Sequence, residues 1–196
     1  MRRTLLSALF VTLTNIGFAE TTQTTNLTPG LLFGDTVLSG KMPRTQEILA
    51  EIMSVVGLTP NFELKEAKVN NIEASISHRK RYILYNPEYI SWITNITKDK
   101  WAAIALVAHE VGHHLNGHTI RKSGSKPKLE LEADEFAGFV LYKLGASLEQ
   151  SQEVMKYIAQ AKASKTHPAR NSRLLAIQKG WSKAAQPEES IVTVQK

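Results

Sequence analysis

The residues best suited to chemistry are three close neighbours, His109, Glu110 and His113, in the segment HEVGH. The two histidines are four positions apart, so on a helix they lie on one face, one turn apart, where both can bind one metal ion. A carboxylate at Glu110 can take a proton from a water molecule that the metal activates. The pattern predicts a site with one Zn²⁺ per chain, in which the histidines are ligands and Glu110 is the base.

Catalytic zinc usually has three protein ligands, and an acidic cluster that begins at Glu130 offers the third. Glu130 and Asp134 are four positions apart in a predicted helix over residues 129–144, so they share one face. Glu130 is the predicted ligand, and Asp134 is predicted to accept a hydrogen bond from a ligating histidine and fix its tautomer. Glu132 points elsewhere and is the weaker ligand candidate. The alternative is that the acidic run only stabilises a helix N-terminus.

The HEVGH segment lies in a predicted helix whose first half is almost wholly apolar, which indicates a buried helix. Thr97 is its expected N-cap, Asp99 suits its first turn, and Asn116-Gly117 is its expected end. Gly112 is unusual inside a helix, since it costs about 1 kcal/mol relative to alanine. Either a side chain there would collide with a neighbouring element or the metal site, or the glycine reflects simple close helix packing.

The combination of HEVGHHLNGH with a later Glu-x-Glu-Ala-Asp segment resembles the gluzincin metallopeptidases of the CAAX-prenyl-protease and HtpX type. Soluble minigluzincins and BepA-like proteases share this core. The resemblance covers residues 44–180 and includes a third segment, His167-Pro168, with Arg173 six positions after the histidine. It implies a zinc endopeptidase whose ligands are His109, His113 and Glu130, with Glu110 as base, Asp134 behind a ligand, and His167 and Arg173 in the catalytic machinery.

The remaining histidines allow several interpretations. His167 could stabilise an oxyanion or close the fourth zinc position in a resting form, and Arg173 could orient it or bind substrate carbonyls. The alternative is that His167 only begins a helix. His118 matches a histidine often seen in the family, and we expect it to be a hydrogen-bonded structural residue. A second metal pair of His114 and His118 is a weaker alternative, and His78 is expected to be exposed in a turn.

Hydrophobic periodicity predicts an α+β fold, with a mainly helical zincin-like core and a small antiparallel sheet. Two or three strands are expected between residues 61 and 84. One of them could bind an extended substrate at its edge, or they could only cover the core. Further helices are predicted over residues 44–56, 88–96, 147–163 and 168–181, the third opened by a capping box.

Composition is that of one ordinary globular domain, with 42% hydrophobic and 21% charged residues among 196. The absence of cysteine excludes disulfides, thiolate zinc sites and a cysteine nucleophile. The formal charge of +6 is scattered, so no nucleic-acid partner is expected. A basic stretch over residues 121–128 is predicted to be a solvated loop. Alternatively, its positive charge could attract acidic segments of a substrate.

The N-terminal residues predict export. A charged start, an apolar stretch and Gly17-Phe18-Ala19 form a signal-peptide pattern over residues 1–19. A periplasmic protein is therefore expected, or alternatively a secreted one, with no integral membrane span after cleavage. A polar segment over residues 20–43, a zinc metallopeptidase domain over residues 44–182 and a polar tail over residues 183–196 complete the predicted organisation.

The expected function is a zinc-dependent endopeptidase that hydrolyses peptide bonds of exported or misfolded proteins, with a polypeptide as substrate. Two alternatives stay open. The first is a zinc-binding, chaperone-like or self-inhibited protein with little turnover. The second is a pseudo-enzyme in which the helix pair is purely structural. The sequence makes no prediction about oligomeric state.

Overall fold

The computed structural model of the protein describes residues 45–120 and 127–186. This part of the chain forms six α-helices and one three-stranded sheet, which confirms the α+β class. The helices are α1 (Thr45–Val56), α2 (Pro87–Thr97), α3 (Trp101–Leu115), α4 (Pro127–Lys143), α5 (Leu148–Ile158) and α6 (Arg170–Ala185). The strands are β1 (Glu63–Glu66), β2 (Ile72–Ser77) and β3 (Lys80–Tyr85), and a short 3₁₀ turn (His118–Ile120) follows α3.

Several predicted segments lie outside the described residues. They are the signal peptide over residues 1–19, the polar segment over residues 20–43, most of the basic stretch, and the end of the C-terminal tail. Residues 183–185, predicted as tail, continue α6, and Ala184 is buried there.

The sheet is mixed, so the prediction of an antiparallel sheet was wrong for one of its strands. Strands β2 and β3 form an antiparallel hairpin whose turn residues, His78 and Arg79, have φ of 49° and 64°. Strand β1 instead pairs in parallel with β3, and the strand order is β1-β3-β2. The connection over residues 67–71 crosses the end of β3, where the Ala67 N–H donates to the Tyr85 carbonyl at 2.9 Å. Strand β2 therefore lies at the outer edge of the described sheet.

Helix α3 forms the centre of the core, as its apolar sequence predicts. All of its residues except His113 and Leu115 are buried. The helix begins at Trp101, whose N–H donates to the Asp99 carboxylate at 2.9 Å. The prediction of Thr97 as N-cap was wrong, because Thr97 ends α2 and its hydroxyl donates back to the Ile93 carbonyl at 2.9 Å.

Helices α3, α4 and α6 pack closely at glycine positions. A Cβ atom at Gly112 would lie 3.1 Å from a ring carbon of Phe136 and 3.2 Å from the Ala133 Cα, so close helix packing explains this glycine. A Cβ atom at Gly138 or Gly180 would collide with the backbone of the facing helix. These contacts set the distance between α4 and α6, which carry the acidic cluster and Arg173.

Helix boundaries follow local signals except where tertiary contacts intervene. The Asn86 side chain caps α2, and Ser147 and Gln150 form the predicted capping box of α5. Helix α5 ends at Ile158, earlier than the predicted residue 163. The carbonyls of Ala159 and Gln160 instead accept hydrogen bonds from Arg170, at 2.9 and 2.8 Å, so the chain turns towards α6.

Candidate metal centre

Helices α3 and α4 bring the three predicted ligands together in a buried cluster. The Nε2 atoms of His109 and His113 lie 3.1 Å apart. The Glu130 carboxylate reaches both, at 3.5 Å from the Nε2 of His109 and 3.4 Å from the Nε2 of His113. The three side chains together could hold a metal ion.

These separations are compatible with a bound metal ion. With ligand bonds of about 2.05 Å and tetrahedral angles, ligand atoms around zinc stand about 3.3 Å apart. The two Nε2 atoms are 3.1 Å apart, and each has a different oxygen of Glu130 near it, Oε2 at 3.5 Å from His109 and Oε1 at 3.4 Å from His113. Two imidazoles and one carboxylate, with one ligand atom from each within 4.8 Å of the others, form a donor set that could hold a metal ion.

The imidazole of His109 is oriented from behind by Asp134 and Arg173. Its Nδ1 atom lies 2.8 Å from the Asp134 carboxylate, which leaves Nε2 to face the cluster. Arg173 donates from Nε and Nη2 to the two oxygens of Asp134, both at 2.7 Å. Asp134 is fully buried and Arg173 is 6% exposed, so the pair is held in place by packing. Asp134 thus contacts a candidate ligand histidine, as predicted. Arg173, on α6, contacts Asp134.

The cluster concentrates negative charge in the protein interior. Glu110, Glu130 and Asp134 are all buried, and the guanidinium of Arg173 contacts Asp134 at 2.7 Å and lies 3.8 Å from Glu130. With the ligand histidines neutral and all three carboxylates ionised, the carboxylates exceed Arg173 by two negative charges, a difference that a divalent cation would balance. Burial disfavours the charged form of His109, but Asp134 and Glu130 outweigh it and raise the pKa of His109 to about 10.

Glu110 faces the same cleft but is outside the ligand cluster. Its Oε2 atom accepts a hydrogen bond from the Ala74 backbone N–H at 2.6 Å, which joins α3 to the edge strand β2. Burial raises the pKa of Glu110, although His109, His113 and the Ala74 N–H oppose the shift. The arrangement holds a carboxylate beside the ligand histidines in an environment that favours proton uptake.

His114 and His118 do not form a second metal pair among the described residues. The Nε2 of His114 donates to the Tyr82 carbonyl at 2.8 Å, and its Nδ1 lies 3.1 Å from the Thr119 hydroxyl. Burial, the largest influence, lowers the pKa of His114 to about 4. His118 instead turns towards His113, with 3.0 Å between their Nδ1 atoms, and its Nε2 lies 2.9 Å from the Glu132 carboxylate.

The cluster opens into a cleft of about 900 Å³. Its polar lining includes the ligands, Glu110 and Arg173. Its apolar lining includes Ile72, Tyr89, Leu106, Met155 and Ile158. The cleft therefore combines a site for chemistry with an apolar surface that can bind side chains.

His167 lies at the rim of this cleft. Its side chain is 58% exposed, and its Nε2 stands 3.9 Å from Glu130, too far for a hydrogen bond. Its Nδ1 lies 2.9 Å from the Thr166 hydroxyl. The structure thus brings His167 towards the cluster without including it among the three grouped ligand side chains.

Three contacts had no usable signal in the sequence. The bond from Ala74 to Glu110 is a backbone contact between elements 36 residues apart. Tyr89, on α2, lines the cleft beside residues that are distant in the chain. The contact of Glu132 with His118 joins residues 14 positions apart on two different elements.

Searches against family models, curated proteins and solved structures found no match to this chain. The family resemblance stated above therefore rests on the sequence motifs alone. In the described residues, no helix combines the length and the apolar character needed to cross a membrane.

Proposed function

We propose that the protein is a zinc-dependent endopeptidase of the gluzincin type. The observation that carries the proposal is the buried group of His109, His113 and Glu130, in which one ligand atom from each residue lies within 4.8 Å of the others. A metal site alone does not imply hydrolysis. The buried carboxylate of Glu110, next to the ligands and free of their cluster, supplies the proton acceptor that hydrolysis requires.

Zinc, when bound by these three side chains, would acidify a water molecule and polarise a substrate carbonyl. The chain's own residues handle the protons and the orientation. Glu110 takes the proton from the attacking water and returns it to the leaving amine. The Ala74 N–H keeps that carboxylate in place, and Asp134 holds the His109 ring so that its Nε2 faces the ligand cluster.

A polypeptide substrate is supported by the position of strand β2 beside Glu110. The outer edge of β2 is not paired with another described strand, and its residues Ile72, Glu73 and Ala74 line the cleft. An extended peptide could pair with this edge and place a carbonyl at the metal site. His167, at the rim, could donate a hydrogen bond to the carbonyl oxygen under attack. Together with the signal-peptide pattern, this supports exported or misfolded proteins as substrates in the periplasm or outside the cell.

The test is the isosteric Glu110→Gln variant. Glutamine can still accept from the Ala74 N–H and leaves the three ligands untouched, but it cannot take a proton. We expect zinc content equal to that of the wild type, and cleavage of a labelled unfolded polypeptide reduced by about 100- to 10,000-fold.

The matched control is Glu135→Gln, which changes an acid on α4 that pairs with Lys179 at the surface. It should leave both zinc content and cleavage unchanged. Cleavage by Glu110→Gln at the wild-type rate would refute the proposed mechanism. Wild-type protein that binds no zinc would support the pseudo-enzyme alternative.

A second candidate is a self-inhibited or chaperone-like zinc protein with little turnover. The observation that favours it is the proximity of His167 to Glu130, because a small movement of the exposed imidazole would bring it to the cluster. A cleavage assay with a chelator control separates the two candidates, since only the peptidase turns substrate over.

A further inference from the structure

The two candidate ligand histidines present the same nitrogen to the cluster. The Nε2 atoms of His109 and His113 face each other and Glu130, so each Nδ1 points away from the cluster. Behind His109, Nδ1 meets the Asp134 carboxylate directly at 2.8 Å. Behind His113, Nδ1 meets another imidazole, that of His118, at 3.0 Å.

His118 connects His113 to a carboxylate. Its ring is 5% exposed on the 3₁₀ turn after α3, and its Nε2 lies 2.9 Å from Glu132 on α4. A nitrogen that binds a metal carries no proton, so a metal on the Nε2 of His113 leaves the ring proton on Nδ1. That proton is donated to the Nδ1 of His118, whose own proton is then on Nε2 and is donated to Glu132. A metal on His113 would thus fix the donor and the acceptor in both hydrogen bonds, from His113 to His118 and from His118 to Glu132.

We propose that His118 and Glu132 are positioning residues for His113, and that they strengthen metal binding by fixing the tautomer and orientation of its ring. The proposal rests on the metal site of the proposed function. In this proposal both ligand histidines are oriented by a carboxylate. Asp134 contacts His109 directly, whereas Glu132 reaches His113 through the imidazole of His118. Glu132 acts only through His118.

The two residues should differ in the size of their effect. Loss of a group that orients a metal ligand typically weakens metal binding by about 10- to 100-fold. We expect that loss for His118→Ala, because His118 is buried and contacts the ligand directly. For Glu132→Ala we expect less than about tenfold, because the Glu132 side chain is 41% exposed and also lies 3.8 Å from Lys128.

The experiment measures Zn²⁺ affinity of the full chain by competition with a chromophoric chelator. The variants are His118→Ala, Glu132→Ala, the double variant and His118→Asn. The asparagine oxygen can replace Nδ1 as acceptor for His113, so His118→Asn should recover most of the lost affinity. Glu135→Ala, which removes an acid on the same helix that pairs with Lys179, is the control and should bind zinc as the wild type does.

The decisive result is the double variant. Because Glu132 acts through His118, removing Glu132 should have no further effect once His118 is alanine. Wild-type affinity in His118→Ala would overturn the proposal, and so would independent, multiplying losses in the double variant. Reduced stability of the metal-free His118→Ala protein, with no recovery of affinity in His118→Asn, would show a purely structural role and also overturn it. If the wild type binds no zinc, both this inference and the proposed function fail, whereas the other outcomes leave the function intact.

Discussion

Gly180 on α6 provides a test of the packing that holds the candidate site together. A Cβ atom there would lie 2.7 Å from the carbonyl carbon of Glu135 and 2.9 Å from the Phe139 nitrogen, and closest to the Glu135 oxygen. All three are backbone atoms of α4, so no side-chain rotation can relieve the overlap. Ordinary carbon–carbon contacts begin at about 3.5 Å, so Gly180→Ala must separate the helices locally by about 0.8 Å or more.

Two effects of opposite sign compete in this variant. Alanine is favoured over glycine in a helix by about 1 kcal/mol, which would stabilise the protein if the site were open. Forcing an extra carbon into close-packed structure typically costs about 1 to 3 kcal/mol. We expect a cost of about 3 kcal/mol at Gly180, because the atoms on both sides of the contact belong to backbone that cannot rotate away. We expect a net loss of about 2 kcal/mol in the free energy of unfolding. The same separation would lengthen the 2.7 Å bonds between Arg173 and Asp134 and weaken zinc binding.

The assay is urea unfolding of the metal-free protein followed by circular dichroism, with zinc affinity as a second readout. Ser182 is exposed on the same helix, and the difference between Ser182→Gly and Ser182→Ala measures the intrinsic preference for alanine there. Gly138→Ala should behave like Gly180→Ala, because its Cβ would lie 2.8 Å from the carbonyl carbon of Ile177. If Gly180→Ala unfolds at the same or a higher urea concentration than the wild type, the close approach of α4 and α6 is refuted.

Two further predictions concern charged residues around the cluster. Arg173→Ala should lower the free energy of unfolding by about 3 to 5 kcal/mol, because it removes the guanidinium that makes two hydrogen bonds to the buried Asp134 carboxylate. Lys179→Ala removes an exposed ion pair between the same two helices and should cost less than about 1 kcal/mol, so equal losses in urea unfolding would contradict the argument. His167→Ala separates the two candidate functions in the cleavage assay. Faster cleavage indicates self-inhibition, slower cleavage indicates a role in catalysis, and an unchanged rate would exclude both roles.

Local patterns predicted the parts of the site that belong to single helices. The spacing of His109 and His113, and that of Glu130 and Asp134, places each pair on one helix face because the helical repeat is a local property. The capping box at Ser147 and Gln150 formed as predicted because its partners are three residues apart. Such features depend on neighbours within one or two turns, which the sequence contains in full.

Contacts between distant segments were predicted less well. The sheet was expected to be antiparallel, but β1 pairs in parallel with β3 rather than with β2, and hydrophobic periodicity does not encode which strands pair. Helix α5 ends earlier than predicted, at Ile158, and the two carbonyls that follow it accept hydrogen bonds from Arg170 instead. Glu132 was the weaker predicted ligand because it faces away from Glu130. In the structure its carboxylate contacts His118, which the sequence did not indicate.

The sequence alone determined which side chains could bind a metal and which helix faces present them, because helical periodicity and the chemistry of histidine and carboxylate are local. The tertiary structure decided the distances between those faces, the pairing of Arg173 with Asp134, and the contact of Glu110 with strand β2. These depend on how closely α3, α4 and α6 pack, and that closeness follows from volume and backbone exclusion at sites such as Gly138 and Gly180. The sequence shows where a glycine stands, but not which backbone atoms of another helix will pack against it.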